Sequence, residues 1–185
     1  LLFTRRGTDN LGDYYWDNQF YEDMFISNLG NGEFNASQAF NQAGSSLTEL
    51  ENTRKHESVV AVNSSEDTLI VFKENKLWYS VWSGSEWNAP VKYSESINIS
   101  KYQRHACLSN DGRTMIFSSD SDEGKGGYDL FTSTKNEDGS WAEAVGLSEV
   151  INTDKNEDSP FLTSDGKRLY FASTVALAAL SFATT

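Results

Sequence analysis

Short apolar runs alternate with polar turns along most of this chain, and the alternation repeats. Ser109-Asn110-Asp111-Gly112-Arg113 leads into Thr114-Met115-Ile116-Phe117-Ser118-Ser119. From Asp111 to Asp165 is 54 positions, and there Thr163-Ser164-Asp165-Gly166-Lys167 leads into Arg168-Leu169-Tyr170-Phe171-Ala172-Ser173. Each copy is a polar turn feeding a run of aromatic and aliphatic residues. Such runs, rich in aromatic and β-branched residues and bounded by turn signals, read as strands. In the third copy the pattern predicts strands over Ala106 to Leu108, Thr114 to Ser118 and Tyr128 to Ser133, with a weaker one over Ala144 to Leu147. No stretch of the repeats keeps a sustained 3.6-residue apolar period, so no helix is predicted there.

Two further landmarks keep step. Asp23-Met24-Phe25-Ile26-Ser27, Lys76-Leu77-Trp78-Tyr79-Ser80 and Asp129-Leu130-Phe131-Thr132-Ser133 begin at 23, 76 and 129, 53 residues apart. Each is followed by a glycine-containing turn and then an aromatic, Phe34, Trp87 or Trp141. Ile97-Asn98-Ile99 returns as Ile151-Asn152-Thr153. Fixed-period similarity in this range marks solenoids, propellers or arrays, and about four short antiparallel strands per unit describe a propeller blade. The predicted fold is therefore all-β, a β-propeller fragment with blades at about 1–55, 56–104, 105–157 and the start of a fourth at 158–173. A two-sheet sandwich does not predict a repeating sequence. Leu1-Leu2-Phe3-Thr4 matches Met115-Ile116-Phe117-Ser118, so the first copy opens in mid-repeat, and the expectation is a piece of a larger protein. Residues 174–185 hold no charge, Gly or Asn and stay unassigned. They are too short for a membrane helix.

Charge narrows the partners. With 27 acidic and 15 basic residues the net charge is −12. Phosphate binding requires a basic face, so a nucleic-acid partner is excluded, as is electrostatic docking on anionic lipid. The single Cys107 rules out an internal disulfide and reads as a small core residue.

Candidate chemistry is sparse. Asp111-Gly112 and Asp165-Gly166 read as structural turns, because Asp bonds the backbone two residues on and Gly supplies positive φ. Asp120, Asp122 and Glu123 beside Gly124 form an acidic turn of the kind hard cations use. The plain reading is a solvated turn, with calcium as the alternative. His56 and His105, at the start of successive first strands, are expected at equivalent positions, where hydrogen bonding to a neighbour outweighs a two-ligand zinc site. No nucleophile elbow, metalloprotease helix or phosphate loop occurs, so no catalytic residue and no cofactor is predicted. The first copy carries an insertion from Arg5 to Glu22 where the second has only Lys73-Glu74-Asn75. Its Tyr14, Tyr15, Trp16, Phe20 and Tyr21 are the candidate partner surface, since aromatic residues are enriched at interface hot spots.

These motifs resemble the TolB-like, WD-repeat-like propeller repeat. The match runs through Asn110-Asp111-Gly112-Arg113, Ser164-Asp165-Gly166-Lys167, Gly126-Gly127-Tyr128-Asp129-Leu130-Phe131, Gly139-Ser140-Trp141 and Asn156-Glu157-Asp158-Ser159-Pro160. The form with Gly-Gly-Tyr-Asp and Ile-Asn-Thr is similar to envelope proteins of Bacteroidota. There the propeller sits between helical repeats and an OmpA-like peptidoglycan-binding domain, and some members belong to type IX secretion and gliding machinery. The resemblance covers residues 1–173. It implies a non-catalytic scaffold in the periplasm, associated with the outer membrane. Its partners would be other envelope proteins, with peptidoglycan reached through further domains and no membrane insertion of its own. A glycan-binding propeller, or a propeller hydrolase or lyase with an axial site, is the alternative. The second copy departs from the pattern, with Glu66-Asp67 for Asp-Gly and no Gly-Gly-Tyr-Asp before Leu77.

Overall fold

The structure, a computed structural model, describes residues 1–6, 21–40, 56–174 and a strand at 178–181. The described residues are all-β, in small antiparallel sheets without an α-helix. The first sheet holds β1 (Leu2–Arg5), β2 (Asp23–Ile26) and β5 (Gln38–Ala39), with β3 (Leu29–Gly30) and β4 (Glu33–Phe34) as a separate hairpin. The second is β6 (Glu57–Val62), β7 (Thr68–Lys73), β8 (Lys76–Val81) and β9 (Val91–Lys92). The third is β10 (Gln103–Leu108), β11 (Thr114–Ser119), β12 (Asp129–Thr134) and β13 (Val145–Gly146). The fourth is β14 (Glu157–Leu162), β15 (Arg168–Ser173) and β16 (Ala178–Ser181). Within each sheet the strands follow chain order.

The sequence landmarks fall on matching atoms. Phe3 faces Phe25 across β1 and β2 as Phe117 faces Phe131 across β11 and β12, and each ring pair stacks at 6.1 Å. Phe34, Trp87 and Trp141 each close a bridge, to Leu29, Trp82 and Lys135. Ser27, Ser80 and Ser133 each donate from Oγ to a backbone carbonyl eight or nine residues on, at 2.5, 2.5 and 2.6 Å. Asn98 and Asn152 explain the Ile-Asn motif. Asn98 Oδ1 accepts from Leu77 N, and its Nδ2 donates to Leu77 O and Tyr93 O. Asn152 does the same with Leu130 N, Leu130 O and Leu147 O. A buried amide here supplies backbone partners that the short fourth strand leaves open.

Successive sheets pack face to face through clusters of alternating residues. Leu69 and Val71 of β7 face Met24 and Phe40 of the first unit, while Ile70 between them faces Ala106, Met115 and Phe117 of the third sheet. Ile116 of β11 turns the other way, onto Leu169 and Phe171 of β15. β7 and β11 are thus buried on both faces, which is why their sequences read as continuous apolar runs. One backbone bond recurs at every junction. Glu57 N donates to Glu22 O at 3.0 Å, Gln103 N to Asn75 O at 3.0 Å, and Glu157 N to Tyr128 O at 2.7 Å.

Several expectations change. The first strands begin at Gln103 and Glu157, so β10 and β14 run across the expected divisions at 104/105 and 157/158. Both residues are polar yet fully buried, and an apolar count misses them. Part of 174–185 joins the fold, because β16 extends the fourth sheet beside β15. The second copy's turn also differs. Glu66 N donates to Asn63 O as Gly112 N does to Ser109 O and Gly166 N to Thr163 O. Glu66 therefore occupies the glycine position, at φ 57° against 66° and 70°. The substitution for Asp-Gly is Ser65-Glu66, not Glu66-Asp67.

A non-glycine residue in the left-handed region costs about 1 kcal/mol. Glu66→Gly should raise the unfolding free energy by about that amount, read as an upward shift of the urea midpoint. Asn152→Ala removes three side-chain bonds to the backbone and leaves the buried Leu130 amide without its partner, while Leu130 O keeps the bond from Leu147 N; it should lower the unfolding free energy by about 2 kcal/mol in the same assay.

Candidate functional site

The residues that flank the recurring junction bonds open onto a cleft of about 570 Å3. Arg6 follows β1, Glu22 precedes β2 and His56 precedes β6, while Arg104 and His105 lie on β10 and Tyr128 precedes β12. A neighbouring cleft of about 410 Å3 shares Arg104 and Tyr128 and adds Asn156 and Asp158. The pairing of β10 with β11 slips between Gln103 and Ala106, and the same slip recurs between Val59 and Ala61 and between Asp158 and Phe161. A bulge re-aims side chains. In β10 it leaves Arg104 and His105, adjacent in sequence, both exposed.

Two clusters of one composition border the cleft, and Asp158 of the second lines the neighbouring cleft. In the first, Glu22 meets Arg6 Nε at 3.4 Å and His56 Nδ1 at 3.4 Å, and the Glu22 backbone N donates to the same Nδ1. The Tyr21 ring stands edge-on to His56 at 5.0 Å. In the second, Asp158 Oδ1 meets His105 Nδ1 at 2.8 Å, and Arg104 Nη1 lies 3.9 Å from Asp158 Oδ2. The Arg104 guanidinium sits 4.4 Å above the Tyr128 ring. Burial pushes the Asp158 carboxyl up. The hydrogen bonds from His105 and Ser118 and the His105 charge outweigh it and hold the group below the usual carboxylate range.

Ser118, Asp158 and His105 form a constellation unlike a nucleophilic triad. Ser118 Oγ donates to Asp158 Oδ1 at 2.6 Å, the same oxygen that His105 Nδ1 meets. The hydroxyl is thus tied to the carboxylate rather than offered to an imidazole, and Ser118 is fully buried. Nucleophile activation needs the hydroxyl on the base.

The histidines do not occupy equivalent positions. The junction bonds make Glu57 and Gln103 counterparts, so His56 matches Tyr102 and His105 matches Val59. They still reach one cleft. Asp111 and Asp165 act as turn residues: Ser109 and Thr163 hydroxyls donate to them, and they accept from the Arg113 and Lys167 amides. These bonds hold both carboxyls below the usual range. Asp120 Oδ1 is used internally, by Ser100 Oγ and Tyr102 N, while Glu123 faces a separate groove with Glu95 and Glu143. Among the described residues no group of three His, Cys, Asp or Glu is placed to hold a metal ion, so Asp120, Asp122 and Glu123 do not assemble into the calcium alternative. Cys107 is buried and its thiol is pushed up to about 11 by that burial. Tyr14, Tyr15, Trp16 and Phe20 lie outside the described residues. Arg104, Glu22 and Asp158 were not singled out from sequence. The available signal was an Arg-His pair inside an otherwise apolar strand.

No family model matches the chain, and no curated protein matches it. Among solved structures it is similar to a candidate 6-phosphogluconolactonase from Bacteroides uniformis, with 13% identity and a TM-score of 0.42 over 93% of this chain. It is also similar to the tricorn protease, with 10% identity and a TM-score of 0.39 over 86% of this chain. The chain spans 52% of the first of these and 15% of the second.

Asp158→Asn tests the second cluster. A carboxyl held low contributes stability above its unfolded value, and that contribution is lost as the pH falls through the folded value. The variant should be about 2 kcal/mol less stable at pH 7, where the charge-assisted bond from the buried Ser118 hydroxyl to the carboxylate is weakened. Its denaturation midpoint should approach that of the parent as the pH falls below about 4.

Proposed function

We propose that the sheets are consecutive blades of a β-propeller and that the chain is a non-catalytic protein-interaction scaffold of a bacterial cell envelope. The observation that carries this reading is the contrast between frame and rim. The junction bond, the serine bond and the asparagine clamp recur from sheet to sheet. The segments between strands do not recur: β1 and β2 are separated by residues 6–22, β7 and β8 by Glu74 and Asn75 alone. A rigid repeated frame bearing unlike connections suits partner binding, since loops carry recognition while the scaffold positions them.

The motif resemblance supports a periplasmic setting at the outer membrane, with other envelope proteins as partners and peptidoglycan held through further domains. The proposed contact surface is the insertion Arg5 to Glu22, with Tyr14, Tyr15, Trp16, Phe20 and Tyr21.

The test is affinity capture from a Bacteroidota envelope extract. The protein is compared with a variant in which Tyr14, Tyr15, Trp16, Phe20 and Tyr21 are replaced by Ser. The variant should lose at least tenfold of the envelope proteins enriched by the parent. Equal recovery of the same proteins would remove the segment as the contact surface, and recovery of none by either would remove the scaffold reading.

A further inference from the structure

We propose that the cleft between the two Arg–carboxylate–His clusters binds a small hydroxylated carboxylic acid, a sugar acid, with its carboxylate against Arg104 and His105. This does not rest on the scaffold reading, and the two fail separately.

The first argument is charge placement. A chain of net charge −12 places both of its histidines and two of its arginines on one cleft. Arg104 is 52% exposed, and its contact to Asp158 is long at 3.9 Å. Stacking on Tyr128 at 4.4 Å orients the guanidinium without consuming its donors. A planar guanidinium held in place presents a fork that matches a carboxylate. His105 is anchored through Nδ1 to Asp158, so its other ring nitrogen belongs to the exposed side of a half-exposed residue.

The second argument is where the carboxylates sit. Among the described residues Glu22 is the carboxylate on this cleft wall, and it lies against Arg6 and His56. Asp158, which holds His105, lines the neighbouring cleft instead. The side of the cleft that meets an anion with a guanidinium and an imidazole is therefore the side of Arg104 and His105.

The third argument is size and lining. The cleft's 570 Å3 lies within the usual range of small-molecule sites. Among the described residues its remaining wall offers Ser58, Asn75, Tyr102 and Tyr128, which are hydroxyl and amide partners, beside the apolar ring of Phe72. That wall suits a hydroxylated ring better than an alkyl chain.

The test is calorimetric titration of the whole chain with sodium D-galacturonate at pH 7. Saturable binding is expected. D-galactose should show at least tenfold weaker binding. Arg104→Gln should lose at least tenfold in affinity, Arg104→Lys should lose part of that, and Arg113→Gln, on a distant turn, should bind as the parent does. Thermal melts establish that each variant is folded. If Arg104→Gln does not fold, the parent's preference for galacturonate over galactose still decides. Absence of saturation by about 100 mM, or equal binding of galactose, would overturn the proposal. Tighter binding of inorganic phosphate, or of an acetylated and amidated Asp-Glu dipeptide, would overturn the sugar-acid assignment.

Discussion

One backbone hydrogen bond organises the molecule. The amide that opens each later sheet is donated to the carbonyl just before β2, β8 or β12 of the preceding sheet: Glu57 to Glu22, Gln103 to Asn75, Glu157 to Tyr128. A two-sided stack of short strands has to satisfy the strand ends as well as the ladders, because an unpaired buried amide costs as much as a lost bond. This bond satisfies one such end and fixes the offset between neighbours at the same time. The apolar clusters then fall into register, with Ile70 against Met115 and Phe117, and Ile116 against Leu169 and Phe171. Packing supplies most of the free energy, but it is non-directional, and the directional bond sets which residues meet.

The same constraint explains polar residues where an apolar core is expected. Glu57, Gln103 and Glu157 are fully buried because the junction bond places them between sheets. A buried carboxylate survives only when hydrogen-bonded. Glu157 accepts from Thr153 N, Thr153 Oγ1 and Ser173 Oγ. The Gly-Gly-Tyr-Asp motif belongs to the same junction. A Cβ on Gly126 would lie 1.6 Å from Lys155 O, so only glycine lets the segment before β14 pass this closely.

The repeat made the strands legible. Period-two alternation and Asp-Gly turns located all three long strands of the third sheet to within three residues. The cleft was not legible, for a physical reason. A repeat directs attention to equivalent positions, whereas the cleft is built from inequivalent ones. The copies are also unequally spaced: first strands two and three begin 46 residues apart, at 57 and 103, but third strands 53 apart, at 76 and 129. The difference of seven is the longer β11–β12 connection, residues 120–128 against 74–75. Spacing alone therefore paired His56 with His105, which the junction bonds separate by three positions. The turn at Ser65-Glu66 is hidden in a similar way, because composition shows a missing glycine but not which residue takes its φ.

Frame and cleft thus draw on the same few residues in opposite ways. At each junction the residue in the bond is buried and repeats in role. Its neighbours, His56 beside Glu57, Arg104 beside Gln103 and Asp158 beside Glu157, are set outward and do not repeat. In β10 a bulge follows the bonded residue, and the side chains there are steered out of the ladder and can change without loss of apolar burial. Arg104 and His105 stand at such a point, and Tyr128 beneath Arg104 contributes the very carbonyl that receives the next sheet. A ligand held on that stack would touch the side chains on either side of a junction bond, so its binding energy would be coupled to the stacking of the third and fourth sheets.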